Sequence, residues 1–241
     1  MESQLLGSTK ASEEALCDFD APEPHSDARR SVRVDCPTWS RGPLRICRQT
    51  AHIFIAIVML LFLFPLMAAI ALGVKITSRG PVLFKQRRVG EGGGEFWVYK
   101  FRSMVVDAEA RRIHLSTLNE ASGPLFKIRN DPRVTPIGRV LRKLSLDELP
   151  QLLNVVKGDM RLIGPRPALP AEVAQYTSRQ RARLAVPPGI TGLAQVSGRS
   201  DLSFEKCIEL DLYFIDHWSP MLDIRIFLRT ISVVLSGRGA Y

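Results

Sequence analysis

The sequence predicts an α/β, mainly helical membrane protein with a proline-broken apolar helix and a compact cytoplasmic domain. Three observations carry this. Residues 53–74 hold no charged side chain and include Pro65 near their middle. Residues 79–241 are polar and mixed, with apolar positions recurring at helical spacing and no long linker. The segment 82–101 reads as two short strands about a Gly-rich turn. The chain divides accordingly into a disordered tail (1–44), a membrane helix (45–78) and one domain (79–241).

The tail is divided by charge. Residues 1–27 carry a net −6, residues 28–48 a net +5, and Pro, Ser and Asp are frequent with poor apolar periodicity. The basic half would hold the chain to anionic lipid at about 1 kcal/mol per Lys or Arg near the surface. The apolar run begins too late in the chain, and is too long, for a cleavable signal core. Cys17, Cys36, Cys47 and Cys207 form no C-x-x-C pair and stand beside no histidine at zinc spacing, so they read as free thiols.

Roughly 20 residues at 1.5 Å each cross a bilayer core, so 53–74 is long enough. A plain single-span anchor fits that length. Both flanks, however, are basic: Arg41, Arg45 and Arg48 before the run, and Lys75, Arg79 and Lys85 after it. Positive charge marks the cytoplasmic side. A helix that enters, bends at Pro65 and returns satisfies both flanks; pattern alone leaves spanning and re-entrant forms open.

In the domain, Gly92, Gly93 and Gly94 would serve as a hairpin turn or a phosphate cradle; no helix-opening pattern follows, which favours the turn. Residues 104–120 have the composition of a surface helix. Val134, Ile137, Val140, Leu141 and Leu144 recur at helical spacing, with Pro136 at or near a helix start. A second helix begins near Ser145–Asp147 and closes at Gly158. Ser145 with Glu148 matches a capping box, whereas Pro150 argues for a start at Asp147. Either way Asp147 lies at a helix N-terminus.

Helix capping is the plain reading of Asp147 and Glu148. Their surroundings add another. Arg139, Arg142 and Lys143 lie just upstream, and the helix terminus adds partial positive charge. A carboxylate there should stay ionised, and a phosphate should be drawn to the same place. Adjacent carboxylates on a cationic floor suit Mg2+, which takes one or two protein carboxylates plus phosphate oxygens. Pro165 and Pro167 bracket Arg166, restricting a guanidinium suited to bidentate phosphate binding or simply a solvated loop. Residues 187–199 form a Gly- and Pro-rich loop ending at Arg199. Residues 204–218 form a helix on which Phe204, Ile208, Ile215 and Trp218 share a face with Asp211 at its centre; a carboxylate there needs a structural arginine or a metal and substrate cluster. The last apolar stretch, with arginines interspersed, reads as an interfacial amphipathic helix or a core helix.

The runs KFRSM (100–104), GPLFKIRNDPRVTPIGRVLRKLSLDELPQLLNVVKGDM (123–160), LIGPRP (162–167), GITGLAQVSGR (189–199) and GAY (239–241) resemble the bacterial sugar transferase family. These are polyprenyl-phosphate glycosyl-1-phosphate transferases that initiate exopolysaccharide, capsule or O-antigen assembly. The resemblance covers about residues 45–241. It implies a monotopic protein whose re-entrant helix breaks at Pro65, with Mg2+ as cofactor, and a UDP-sugar and undecaprenyl phosphate as substrates. It implies Asp147 as the nucleophile that attacks the sugar-bearing phosphate, with UMP leaving and the phosphosugar then passing to the lipid phosphate. Glu148 becomes a metal or proton partner. Lys100, Arg102, Arg142, Arg166 and Arg199 become phosphate ligands, and Asp211 matches a carboxylate of the family's last catalytic-region helix.

Two departures stand out. The usual acid before the apolar helix is replaced by Ala51 within CRQTA, which touches the helix's first contacts and not the chemistry. The large members' extra spanning helices are lacking, so the chain resembles the small form. The family motifs report phosphates and leave the sugar, the pathway and any homo-oligomer open. A membrane-anchored interaction protein with a basic face would explain the charge and the apolar run, but not the carboxylate pair among phosphate-binding residues. A nucleic-acid partner is not expected: the net charge of +9 is unsupported by any recognised motif or aromatic platform.

Overall fold

The computed structural model describes residues 37, 39, 42–120 and 123–237. Most of the tail, Cys17, Cys36, Arg41 and the terminal GAY run lie outside them. Among the described residues, Cys47 and Cys207 are free thiols.

Helix α1 runs Gly42–Thr77 without interruption, Pro65 included. The expected break at Pro65 is therefore not a break in the helix: one missing N–H is tolerated within a long run of backbone bonds. Arg48, His52, Ala56, Ile70 and Val74 are buried along one stripe. Met59, Leu60 and Leu63 join the main core from that stripe, and Met67 and Ala71 join a smaller one. This 3.6-residue spacing lays both ends of α1 against the same body. The rest of its surface is apolar and exposed, Leu61 at 74% and Phe62 at 82%. Such a helix is long and apolar enough to anchor in a membrane. Near its N-terminal end Arg48 forms a two-bonded ion pair with Asp223, at 3.1 Å in each bond.

Strands β1 (Leu83–Val89) and β2 (Glu95–Phe101) pair antiparallel, Leu83 opposite Phe101 and Val89 opposite Glu95. Gly92 and Gly93 take positive φ in the turn, the role the pattern favoured. The surface helix expected over 104–120 shrinks to α2 (Ala108–Arg112) followed by a 3-10 segment, Ile113–Leu118. With little apolar face, nothing holds those residues in longer α-helix.

Helix α3 spans Pro136–Lys143, with Pro136 in the first turn and the Thr135 hydroxyl accepting from Gly138 N–H. Val134 falls outside it, bridged to Met104, and Val140 is exposed; Leu141 alone of the expected set is fully buried within the helix. A Cβ at Gly138 would overlap the Ser103 carbonyl, so this glycine lets α3 press directly onto the end of β2. The next helix starts as a 3-10 turn, Leu146–Gln151, and becomes α4, Leu152–Lys157, closed by Gly158 at φ 87°. Strand β3 (Arg161–Ile163) pairs parallel with β4 (Gly189–Thr191). A Cβ at Gly189 or Gly192 would overlap the backbone of Gly164, so the two Gly-Pro loops meet backbone to backbone. Short helices α5 (Pro170–Val173), α6 (Ser178–Arg181) and α7 (Leu193–Ser197) connect these pieces. Helices α8 (Phe204–Asp216) and α9 (Pro220–Ser236), capped by Ser203 and Ser219, complete the body. The core lies between α1, α4, β3, α7, α8 and α9, with Leu152, Met160, Leu193, Phe214 and Ile226 at its centre. The result is mainly helical with two small sheets.

Candidate active site

Asp147 and Glu148 open the 3-10 turn, and the chain enters it through Ser145 in the left-handed region, φ 53° and ψ 22°. This overturns the expected capping box. Ser145 makes no side-chain cap bond; its hydroxyl instead accepts from Arg199 Nη2 at 3.0 Å. Glu148 does not reach back to the turn. Its Oε1 accepts from Lys100 Nζ at 2.7 Å and pairs with Arg166 Nη2 at 3.1 Å. The reason is competition: two cations in a partly buried site outbid a backbone N–H for one carboxylate.

The two acids are therefore unlike. Burial pushes the Glu148 carboxyl up, but Arg166 and Lys100 outweigh it and hold it well below the usual carboxylate range. Among the described residues, no hydrogen bond or ion pair engages the Asp147 carboxylate. It is 8% exposed, and burial raises its pKa, opposed first by Lys100 and reinforced by the charge of Glu148. Desolvation thus works against the stabilisation expected of a helix terminus, which here is only a short 3-10 turn. Lys100 is lowered by burial against the pull of Glu148, and Arg166 is raised chiefly by Glu148.

Four of the five expected phosphate ligands gather around this pair. Lys100 arrives on β2. Arg166 arrives on its proline-bracketed loop with its side chain 44% exposed to the cavity. Arg142, the penultimate residue of α3, donates from Nε to Ser103 Oγ at 3.0 Å and feels the charge of Asp147. Arg199 sits at φ 52°, and among the described residues its buried Nη1 has no hydrogen-bond partner. The fifth, Arg102, also lines the cavity, but Nη2 is committed to Ser78 O at 2.8 Å and Oγ at 2.6 Å. Among the described residues its Nε and Nη1 are buried with no hydrogen-bond partner.

Asp211 is placed differently. It is 1% exposed and pairs with Arg183 at 2.5 Å. Arg183 in turn donates to the Tyr176 hydroxyl at 2.9 Å and to the Arg166 carbonyl at 3.0 Å. Asp211 thus takes the structural-arginine partner, not a phosphate one, and reaches the site through the backbone of Arg166. Sequence reasoning missed Arg183, and also Arg88, which donates to the Pro167 carbonyl at 2.9 Å. Both secure the loop carrying Arg166. Only the demand of an acid on an apolar face for a cation pointed to such a partner, and it did not say which.

These residues line one cavity of about 720 Å³, within the ordinary range for a small-molecule site. Gly92, Gly93 and Gly94 are not part of it. No group of three His, Cys, Asp or Glu side chains among the described residues is arranged to hold a metal. The open Asp147 carboxylate could take a divalent ion that brings phosphate oxygens as its other ligands; Glu148, paired with Lys100 and Arg166 through Oε1, could add only its other oxygen.

A family model described as bacterial sugar transferase matches residues 44–237. The chain is 50% identical over 162 residues to the galactosyl transferase CpsE of Streptococcus agalactiae, covering 67% of this chain and 36% of that one. It is 44% identical over 195 residues to a UDP-glucose:undecaprenyl-phosphate glucose-1-phosphate transferase of Xanthomonas campestris, covering 78% and 38%. It is 38% identical over 200 residues to the exopolysaccharide production protein ExoY of Sinorhizobium fredii, covering 81% and 88%. The chain thus spans well under half of the first two relatives and most of the third.

Proposed function

The chain belongs to the bacterial sugar transferase family, and from that premise we propose that it moves a sugar-1-phosphate from a UDP-sugar to undecaprenyl phosphate in the first step of exopolysaccharide or related glycan synthesis. The observation that carries the reading is the asymmetry of the carboxylates: a free Asp147 beside a Glu148 fixed by Lys100 and Arg166. An Asp147 oxygen attacks the phosphorus bonded to the sugar. The bond from that phosphorus to the bridging oxygen breaks, UMP departs with its electron pair, and the phosphosugar remains on Asp147. An oxygen of the lipid phosphate then attacks the same phosphorus and releases the carboxylate. Splitting the displacement in two lowers each barrier. A desolvated carboxylate is also a better nucleophile than one stabilised by hydrogen bonds. Lys100, Arg142, Arg166, Arg199 and the spare donors of Arg102 neutralise the phosphates and align them. Mg2+, held by Asp147 and Glu148 with the diphosphate, would supply further charge neutralisation.

The test is label transfer from a panel of UDP-sugars to undecaprenyl phosphate in Mg2+, with UMP release as the second readout. At least one sugar nucleotide should give lipid-linked product. No product with any member of the panel would return the chain to the alternative of a membrane-anchored interaction protein.

The same reading places the protein monotopically on the cytoplasmic face of the bacterial inner membrane. Its support is that both ends of α1 pack on one body while the outer apolar surface is bare. Reporter tags at the N- and C-termini should both be cytoplasmic; a periplasmic N-terminus would rule out the re-entrant arrangement.

A further inference from the structure

The cavity at Asp147 and Glu148 has a further side, here called its second limb, whose lining residues the phosphate chemistry does not use. It extends to Met59 on α1, Ile190 on β4, and Phe227, Thr230, Val233 and Val234 on α9. The wall is apolar. Its hydroxyls are already satisfied: Thr230 Oγ1 lies 2.8 Å from Thr191 Oγ1 and donates to the Ile226 carbonyl at 2.8 Å. Such a wall offers little to a sugar or a nucleotide, whose polar groups need partners.

The position of the limb is set by two helices. Arg48 of α1 and Asp223 of α9 clip them together. Roughly three turns further along each helix, Met59 and Val234 border the cavity. Beyond the limb both helices turn bare apolar faces outward: Leu61 at 74% and Phe62 at 82% on α1, Leu228 at 59% and Leu235 at 76% on α9. The limb thus lies between two helices whose outer faces only lipid covers without cost.

We infer that the limb between α1 and α9 receives the first isoprenoid units of the lipid phosphate acceptor. Its phosphate then lies at Asp147 and the remaining chain stays in the bilayer. The inference rests on the transfer reading for the identity of the acceptor, and adds where its tail goes and which residues select it. Met59, Phe227 and Val234 are the selecting positions.

Two measurements on the full chain in detergent or nanodiscs test this. Val234→Trp, which fills the limb, should raise KM for undecaprenyl phosphate at least about tenfold. It should leave exchange of labelled UMP into UDP-sugar, which needs no lipid, nearly unchanged. Leu228→Trp, on the outer face of α9, should change neither. An unaltered KM for the lipid in Val234→Trp overturns the inference. Independently, a diazirine-bearing prenyl phosphate should label Met59, Phe227 or Val233 of the wild-type protein in a manner that undecaprenyl phosphate competes away. Labelling confined to Leu228 and Leu235, or not competed, also overturns it. Competed labelling of the limb in a protein that transfers no sugar phosphate would instead sink the transfer reading and leave the lipid site standing.

Discussion

Asp147→Asn is expected to abolish lipid-linked product and also the exchange of labelled UMP into UDP-sugar, each by roughly 10⁴-fold or more, as for other removed nucleophiles. The structure makes this variant unusually clean. The Asp147 carboxylate has no protein partner among the described residues, and burial already opposes its charge. An amide there breaks no ion pair and removes a desolvated anion, so the unfolding midpoint should be unchanged or slightly higher. Lost exchange with retained stability assigns the chemistry to Asp147. Exchange that survives in Asp147→Asn would place the nucleophile elsewhere. Glu148→Gln is the informative contrast, because it leaves Lys100 and Arg166 without their shared counter-charge and should disturb both folding and turnover.

Asp211→Ala is expected to cost about 3–5 kcal/mol of stability, the usual result of removing one member of a buried ion pair. Arg183, nearly fully buried, would keep its charge with only Tyr176 and the Arg166 carbonyl as partners. Urea unfolding of the full chain in detergent measures the loss. Because Arg183 also holds the Arg166 backbone, turnover should fall in the surviving folded fraction. Asp211→Asn, which retains an acceptor, should lose less on both counts. A change below about 1 kcal/mol, together with a large fall in phosphate affinity, would show that Asp211 acts on substrate and not through Arg183.

Much of the molecule is legible in its sequence. The hairpin over 82–101, the helix beginning at Pro136, the stop at Gly158 and the acid-bearing face of α8 each follow from a local rule of propensity or periodicity, and each is present, except that α8 ends before Trp218. The capping box at Ser145 rests on neighbours in sequence, and tertiary partners overrode it; the helix over 104–120 shortened because it has little apolar face to hold it. Ser145 faces Arg199, fifty-four positions away, and Glu148 faces Lys100, forty-eight away. Short-range preferences worth a few tenths to about 1 kcal/mol give way to charge-assisted bonds in a desolvated site.

The sequence by itself determined the inventory: an uncharged run around Pro65, a body rich in cations, and two adjacent carboxylates at a helix start. These are properties of residue type and spacing, which act over one or two turns of chain. Only the tertiary structure decided the division of labour. Glu148 is the acid held by Lys100 and Arg166, Asp147 the acid left open, and Asp211 the counter-ion of Arg183, because pairing energies depend on distance and burial and neither is written in local sequence. For α1, length and composition allow it to span or to return, and the structure adds that a buried stripe from Arg48 to Val74 packs on the body.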